Sequence, residues 1–216
     1  MAAISRASLL LAFNLLCLPW LGEAGALKTM PTSSLYDYAV IRADRLNRLA
    51  VDIYQKFLVT SIDIDGRTSD CLSASVPIPT TQQETLQKSN LELLRISLML
   101  IQLWLKPVQS LSSAFGNNPL YSFLDNFIYK YLKDLEEVIQ TLMGRLDDGS
   151  PQTVEIMMHT YNKADIYLPS EDPLIKNYKL LYCFRRDMRE LAKFLHIVQC
   201  RSVESSCAYQ MPGGIP

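Results

Sequence analysis

Hydrophobic spacing constrains this chain more than any other feature, because four long segments repeat apolar residues at three- and four-residue steps, the period of one helix face. In the first, Leu35, Ala39, Leu46, Leu49, Ile53 and Phe57 form the stripe, with Ser33 and Ser34 ahead as N-caps, which predicts a helix over about 33–59. The second, about 84–112, carries Leu91, Leu94, Leu98, Ile101, Leu105 and Val108. Leu93, Leu100, Leu103 and Trp104 widen that stripe until most of the helix has to be covered, and Pro107 is expected to kink it. The third, about 122–146, reads Ile128, Leu132, Leu135, Ile139, Leu142 and Leu146 and stops at Asp147-Asp148-Gly149-Ser150-Pro151. The fourth, about 173–201, reads Leu174, Tyr178, Leu181, Arg185, Met188, Leu191, Leu195 and Val198, with Glu171 and Asp172 where a helix dipole favours acid.

No Val, Ile and Thr-rich alternation, internal repeat or low-complexity tract interrupts this pattern, so the chain reads as all-α. Link lengths then suggest a topology. The link over 113–121 is short, which makes the second and third helices antiparallel neighbours. The links over 60–83 and 147–172 are long enough to return along a helix of about 40 Å at about 3.3 Å per residue. Two long crossovers around one short turn describe an up-up-down-down four-helix bundle.

Residues 1–26 stand apart as a leader: Arg6, an apolar run from Leu9 to Leu18 broken only by Asn14, Pro19, and small residues ending Ala24-Gly25-Ala26. This is the arrangement of a secretory signal peptide, and the run is shorter than the roughly 20 apolar residues of a membrane anchor. The expected mature chain is a single domain over 27–216, secreted and extracellular, with no membrane insertion once the leader is cut.

Cys17 leaves with the leader, and Cys71, Cys183, Cys200 and Cys207 remain, an even number suited to two disulfides in an oxidising compartment. On one helix Cys183 and Cys200 would lie about 25 Å apart, beyond the about 7 Å that a disulfide spans. Two pairings are left: Cys71–Cys183 with Cys200–Cys207, or the crossed set. The first is preferred because 201–206 is a short stretch that turns easily.

With 21 basic and 22 acidic residues, the chain has no field to hold a nucleic-acid backbone. No nucleophile elbow, phosphate loop, HExxH, dinucleotide glycine pattern or EF-hand loop is present. His159 and His196 are the only histidines and read as surface residues, and Glu136-Glu137 and Asp147-Asp148 read as solvated charge. No N-x-S/T sequon occurs. A disulfide-braced bundle without a reactive centre acts by being bound, so the chain is not expected to be an enzyme.

Several runs carry a resemblance: Ser8-Leu9-Leu10-Leu11-Ala12-Phe13, QKSNLELLRISL from Gln87, LKDLEE at 132–137, IQTLMGRL at 139–146 followed by DDGSP, LLYCFR at 180–185, and IVQCRSVE at 197–204. On these the chain resembles the growth hormone and prolactin family of helical cytokines. The resemblance implies the up-up-down-down bundle, the pairing Cys71–Cys183 with Cys200–Cys207, and a circulating monomeric hormone. It also implies two faces that bring two single-pass cytokine receptor chains together, activating Janus kinase and STAT signalling.

Carried over position by position, the first face comprises Arg186, Arg189, Glu190, Lys193, Phe194, His196 and Ile197 on the fourth helix, Asp44, Asn47 and Val51 on the first, and Pro79 and Gln82 in the crossover. The steps 186, 189, 190, 193 and 197 are expected to share one surface opposite the buried 181, 188, 195 stripe. The second face comprises Leu27, Met30, Arg42, Arg45, Asp134, Glu137, Val138 and Thr141.

The sequence departs from the family at several of these positions. Val138 stands where growth hormones carry a glycine that leaves room for the second receptor, and weakened pairing is expected from it. The family's zinc ligands, two histidines and a glutamate, are matched by Asp44, Asn47 and Ala192, too few donors for zinc, so no cofactor is expected. Gln82 and Glu190 replace a basic pair, the crossover from Leu58 to Asp70 looks short, and Ala208–Pro216 extends the tail.

Three readings follow: a receptor-activating hormone of growth hormone type or of placental lactogen type, the latter a ligand of the prolactin receptor; a one-receptor binder on the same fold, hence an antagonist or decoy; and a carrier of an apolar ligand. The dense Leu and Ile stripes argue for close packing and against the carrier.

Overall fold

The computed structural model describes residues 27–60, 71–114, 119–146 and 173–203, and all side chains there except those of 57–60, 109–114, 119–126 and 173–177. The leader, most of the segment from Leu58 to Asp70, the acidic stop at 147–151, His159, and the tail with Cys207 lie outside these residues.

The described residues hold α1 Thr32–Thr60, α2 Gln82–Gln87, α3 Asn90–Ala114, α4 Pro119–Leu146 and α5 Pro173–Ser202, with a 3-10 turn at Leu72–Ser75 and a helical stretch at 27–29, and no strand occurs among them. α1 packs on α5 and α4, and α3 packs on α4 and α5. Side-chain pairs give the directions. Asp37 meets Gln199 and Tyr54 meets Tyr178, so α1 and α5 are antiparallel. Thr32 meets Arg145 and Arg42 meets Asp134, so α1 and α4 are antiparallel. Asn90 meets Ser202 and Trp104 meets Asp187, so α3 and α5 are antiparallel. α1 therefore runs with α3, and α4 with α5, which is the up-up-down-down four-helix bundle.

The core lies where the stripes converge. Trp104, Phe184 and Phe194 are its largest fully buried side chains, and Leu35, Leu46, Leu93, Leu94, Ile101, Leu132, Leu135 and Ile139 fill the space between them. Trp104 meets Phe184 edge-on with ring centroids 5.0 Å apart, the arrangement that the ring quadrupoles favour. At one end of the bundle Tyr54 and Tyr178 share a hydrogen bond of 3.1 Å, and Arg185 lies 4.0 Å over the Tyr54 ring. Burial and then the bond to Tyr178 push the Tyr54 hydroxyl up to about 12.

The structure corrects the expected elements in four places. The second helix is not continuous from 84: it is split into α2 and α3, because Lys88 is extended (φ −69°, ψ 141°). Ser89 then starts a new helix by accepting from the Glu92 N–H at 3.1 Å while Glu92 accepts from the Ser89 N–H at 2.8 Å, a reciprocal capping box. α1 begins at Thr32, so Ser33 and Ser34 lie within its first turn, and the Pro31 carbonyl accepts from the Leu35 N–H at 3.0 Å. α4 begins at Pro119, a favoured first helical residue because proline has no N–H to leave unpaired. Arg185, placed in the fourth stripe, lies against Tyr54 and Tyr182 at the surface, and the core position beside it belongs to Phe184.

Cys71 and Cys183 are joined with Cα atoms 5.4 Å apart, pinning the 3-10 turn against α5. Cys200 is also disulfide-bonded; its expected partner Cys207 lies outside the described residues.

Candidate functional site

The seam between α1 and α5 gathers most of the first expected face. Asp44 Oδ1 and Oδ2 lie 3.0 and 3.2 Å from His196 Nε2. One helical turn further, Gln199 Nε2 donates to Asp37 Oδ1 at 2.6 Å. On the outer side of α5 Glu190 sits between Arg189 at 3.6 Å and Lys193 at 3.5 Å. Val51 and Asn47 are half-buried, and Asn47 Oδ1 has no hydrogen-bond partner.

Two expected members turn the other way. Phe194 is 0% and Ile197 4% exposed, so the shared outward surface holds for Arg186, Arg189, Glu190 and Lys193 but not for 197. The reason is packing: α5 lies against both α1 and α3, so far more than one 181, 188, 195 stripe is covered. Pro79, in the crossover, is buried, while Gln82 is exposed at the first position of α2.

α2 itself is held firmly. Thr81 Oγ1 accepts from the Glu84 N–H at 3.1 Å, and Glu84 Oε2 accepts from the Thr80 N–H at 2.9 Å. The Thr80 backbone N–H, then the Thr80 hydroxyl and the Thr81 backbone N–H, hold the Glu84 carboxyl below its ordinary range. At the other end Arg201 donates to the Leu86 and Lys88 carbonyls, both at 2.7 Å, tying α2 to the end of α5.

Between the disulfide and the seam lies a buried acid that the sequence reading did not single out. Asp187 is 0% exposed. Its Oδ1 accepts from Ser73 Oγ at 2.9 Å and from Arg186 Nε and Nη2 at 3.1 and 3.0 Å, and its Oδ2 accepts from Trp104 Nε1 at 2.9 Å. Burial nevertheless pushes its carboxyl above the usual range, against the bonds from Ser73, Trp104 and Arg186. The legible signal was position: 184, 187, 188 and 191 form one row on α5, and an acid in an apolar row needs buried partners.

The second expected face follows the α1–α4 seam. Arg42 pairs with Asp134 at 3.3 Å, and its guanidinium lies 4.9 Å from both the Tyr38 and Tyr131 ring centroids. Arg145 donates to Thr32 Oγ1 at 2.9 Å and to the Lys28 and Leu27 carbonyls at 3.0 and 3.3 Å, strapping the N-terminal segment onto α4. Leu27 and Met30 are partly buried against the core. Arg45 and Glu137 are exposed, and Thr141 Oγ1 donates to the Glu137 carbonyl at 2.8 Å. Val138, four residues after Asp134, is 0% exposed, so its side chain packs beneath the seam instead of projecting from it. Tyr38, Tyr131 and Arg145 were not foreseen here.

The family's zinc positions do not fit the metal. Ala192 offers no donor and is buried, and Asp44 is engaged by His196. Among the described residues no group of three or more His, Cys, Asp and Glu is gathered, and no helix there is long and apolar enough to cross a membrane.

The somatotropin hormone family model matches residues 9–207. The chain is 56% identical to chorionic somatomammotropin hormone 2 of Homo sapiens, over 97% of this chain and 100% of that protein. It is 51% identical to the growth hormone variant of Macaca mulatta and 49% identical to somatotropin of Camelus dromedarius, with the same two shares covered. These relatives are hormones, not enzymes. A four-helix bundle with two long crossovers, the Cys71–Cys183 bridge and a likeness running the whole length lead to one conclusion: the chain belongs to the somatotropin hormone family.

Proposed function

We propose that the protein is a secreted, monomeric polypeptide hormone that engages a single-pass cytokine receptor of growth hormone receptor type and pairs two receptor chains, activating Janus kinase and STAT signalling. The reading is carried by likeness to hormones along the whole chain. The first receptor contact is the α1–α5 seam with α2, where Asp44, Arg186, Arg189, Glu190, Lys193 and His196 reach solvent together. The second is the α1–α4 seam with the strapped N-terminal segment. The hormone works without a bound metal.

A second reading, a one-receptor ligand, draws support from the α1–α4 seam, where Arg42 is already engaged by Asp134 and two tyrosines; the buried Val138 side chain adds nothing to it, because it does not project from the seam. A third, a placental-lactogen-like ligand of the prolactin receptor, draws on the identity to the human chorionic somatomammotropins. Light scattering of the mature protein, titrated separately with growth hormone receptor and prolactin receptor ectodomains, separates all three. One hormone bound to two growth hormone receptors is the expected result. A one-to-one limit selects the one-receptor ligand, two prolactin receptors select the lactogenic reading, and no complex with either overturns the receptor assignment.

A further inference from the structure

Arg186 and Asp187 are sequence neighbours, and neighbouring side chains on a helix point about 100° apart, so they do not face each other by default. Here they meet because the disulfide brings a third residue to them. Cys183 and Asp187 lie on one side of α5, four residues apart, and the bridge to Cys71 sets the 3-10 turn against that side, so Ser73 lies over Asp187. Arg186 folds back towards this point: Nε and Nη2 donate to Asp187 Oδ1, and Nη2 also donates to Ser73 Oγ. Its side chain is still 37% exposed, whereas that of Asp187 is 0% exposed.

Of the three guanidinium nitrogens, two are thus committed inward, and Nη1 has no partner among the described residues. A free arginine would have to give up several rotatable bonds to bind a partner, and this one has largely given them up already.

We infer that Ser73 and Asp187, neither of them accessible, are positioning residues for receptor recognition: they fix the Arg186 guanidinium so that its Nη1 edge is presented to a carboxylate or main-chain carbonyl of the receptor. This rests on the receptor reading proposed above. The first receptor face therefore extends inward through the crossover turn to the disulfide, and a change at a buried serine is felt as a change in affinity.

Surface plasmon resonance with the two receptor ectodomains tests this on full-length mature protein. The variants are Ser73→Ala, Arg186→Ala, the double variant, and Asp187→Asn as a second way to release Arg186. Ser97→Ala serves as a control, since its hydroxyl bonds only to the Leu93 carbonyl within α3. Far-UV circular dichroism confirms that each variant is folded.

Arg186→Ala is expected to raise Kd about tenfold, the loss of roughly one well-placed charged hydrogen bond. Ser73→Ala and Asp187→Asn are each expected to raise it about three- to tenfold, mainly through faster dissociation. The double variant should bind no more weakly than Arg186→Ala alone, because the serine acts only through the arginine, and Ser97→Ala should match the wild type. Additive losses in the double variant, or wild-type Kd for both Ser73→Ala and Asp187→Asn, overturn the inference while the receptor reading stands. Wild-type protein that binds neither ectodomain overturns both.

Discussion

Asp44 Oδ1 lies 3.0 Å from His196 Nε2, a polar contact at the surface that joins the first and last helices of the bundle across 152 residues of sequence. More than a third of each side chain is exposed, so water screens the pair. A double-mutant cycle of Asp44→Ala and His196→Ala, read by urea denaturation, should give a coupling below about 1 kcal/mol. A larger coupling would mean that the seam depends on this contact and not on the apolar rows beneath it.

Val138 is the position where the resemblance and the packing pull in different directions. Restoring the family's glycine by Val138→Gly removes a fully buried side chain and places glycine inside a helix. The two effects together should lower stability by about 2–4 kcal/mol, measured by urea denaturation. A loss under about 1 kcal/mol would show that the α1–α4 seam relaxes to fill the space.

The junction between α2 and α3 depends on a hydroxyl. Ser89→Ala removes the acceptor for the Glu92 N–H and should cost about 1 kcal/mol. The Ser89 backbone N–H, then its hydroxyl and Lys88, hold the Glu92 carboxyl below its usual range. A lowered folded-state value supplies stability above the unfolded value of 4.5, and that stability is lost as pH falls through the lowered one. The stability deficit of Ser89→Ala, followed by denaturation from pH 6 to pH 3, should therefore shrink as the medium becomes acidic.

Asp187 has the opposite sign. Its carboxyl is raised above 3.8, so the folded protein holds this proton at pH values where the unfolded chain has released it. The contribution is greatest at the acid end and declines as pH rises through the folded value. Asp187→Asn cannot titrate, so the stability of the wild type relative to this variant should increase as pH is lowered from 7 towards 4. A difference that stays flat with pH, in guanidinium titrations, would mean that the bonds to Asp187 fully offset its burial.

Reducing the Cys71–Cys183 bridge should be costly, because 112 residues separate the two cysteines. The Cys71→Ala, Cys183→Ala double variant is expected to lose about 5 kcal/mol on the chain-entropy model, read as a lowered denaturation midpoint. Its receptor affinity should also fall, since Ser73 loses its anchor.

The sequence displayed the bundle well because its signal is periodic. Leu94, Ile101, Leu132, Leu135, Ile139 and Leu142 were all read from spacing, and all are buried. What escaped was information of another kind. Ser89 and Glu92 form a capping box just where the apolar stripe starts at Leu91, but the helix was begun at 84, ahead of that stripe, and the cap was passed over. Phe194 and Ile197 were set on an outward face by resemblance, although Phe194 belongs to the apolar 191, 194, 195, 198 row and Ile197 is an apolar neighbour of Val198, and both are buried. Ser73 and Asp187 are 114 residues apart, and no local pattern announces a hydrogen bond across that distance.

Trp104 is the only tryptophan after residue 20, and its indole N–H is spent on the one fully buried carboxylate among the described residues. Indole emission responds to nearby charge and to proton transfer. The chain therefore carries an optical gauge of its own: intrinsic fluorescence, with no label attached, is expected to follow the protonation of Asp187 and, because Arg186 is held on Oδ1 of the same acid, any displacement of that arginine.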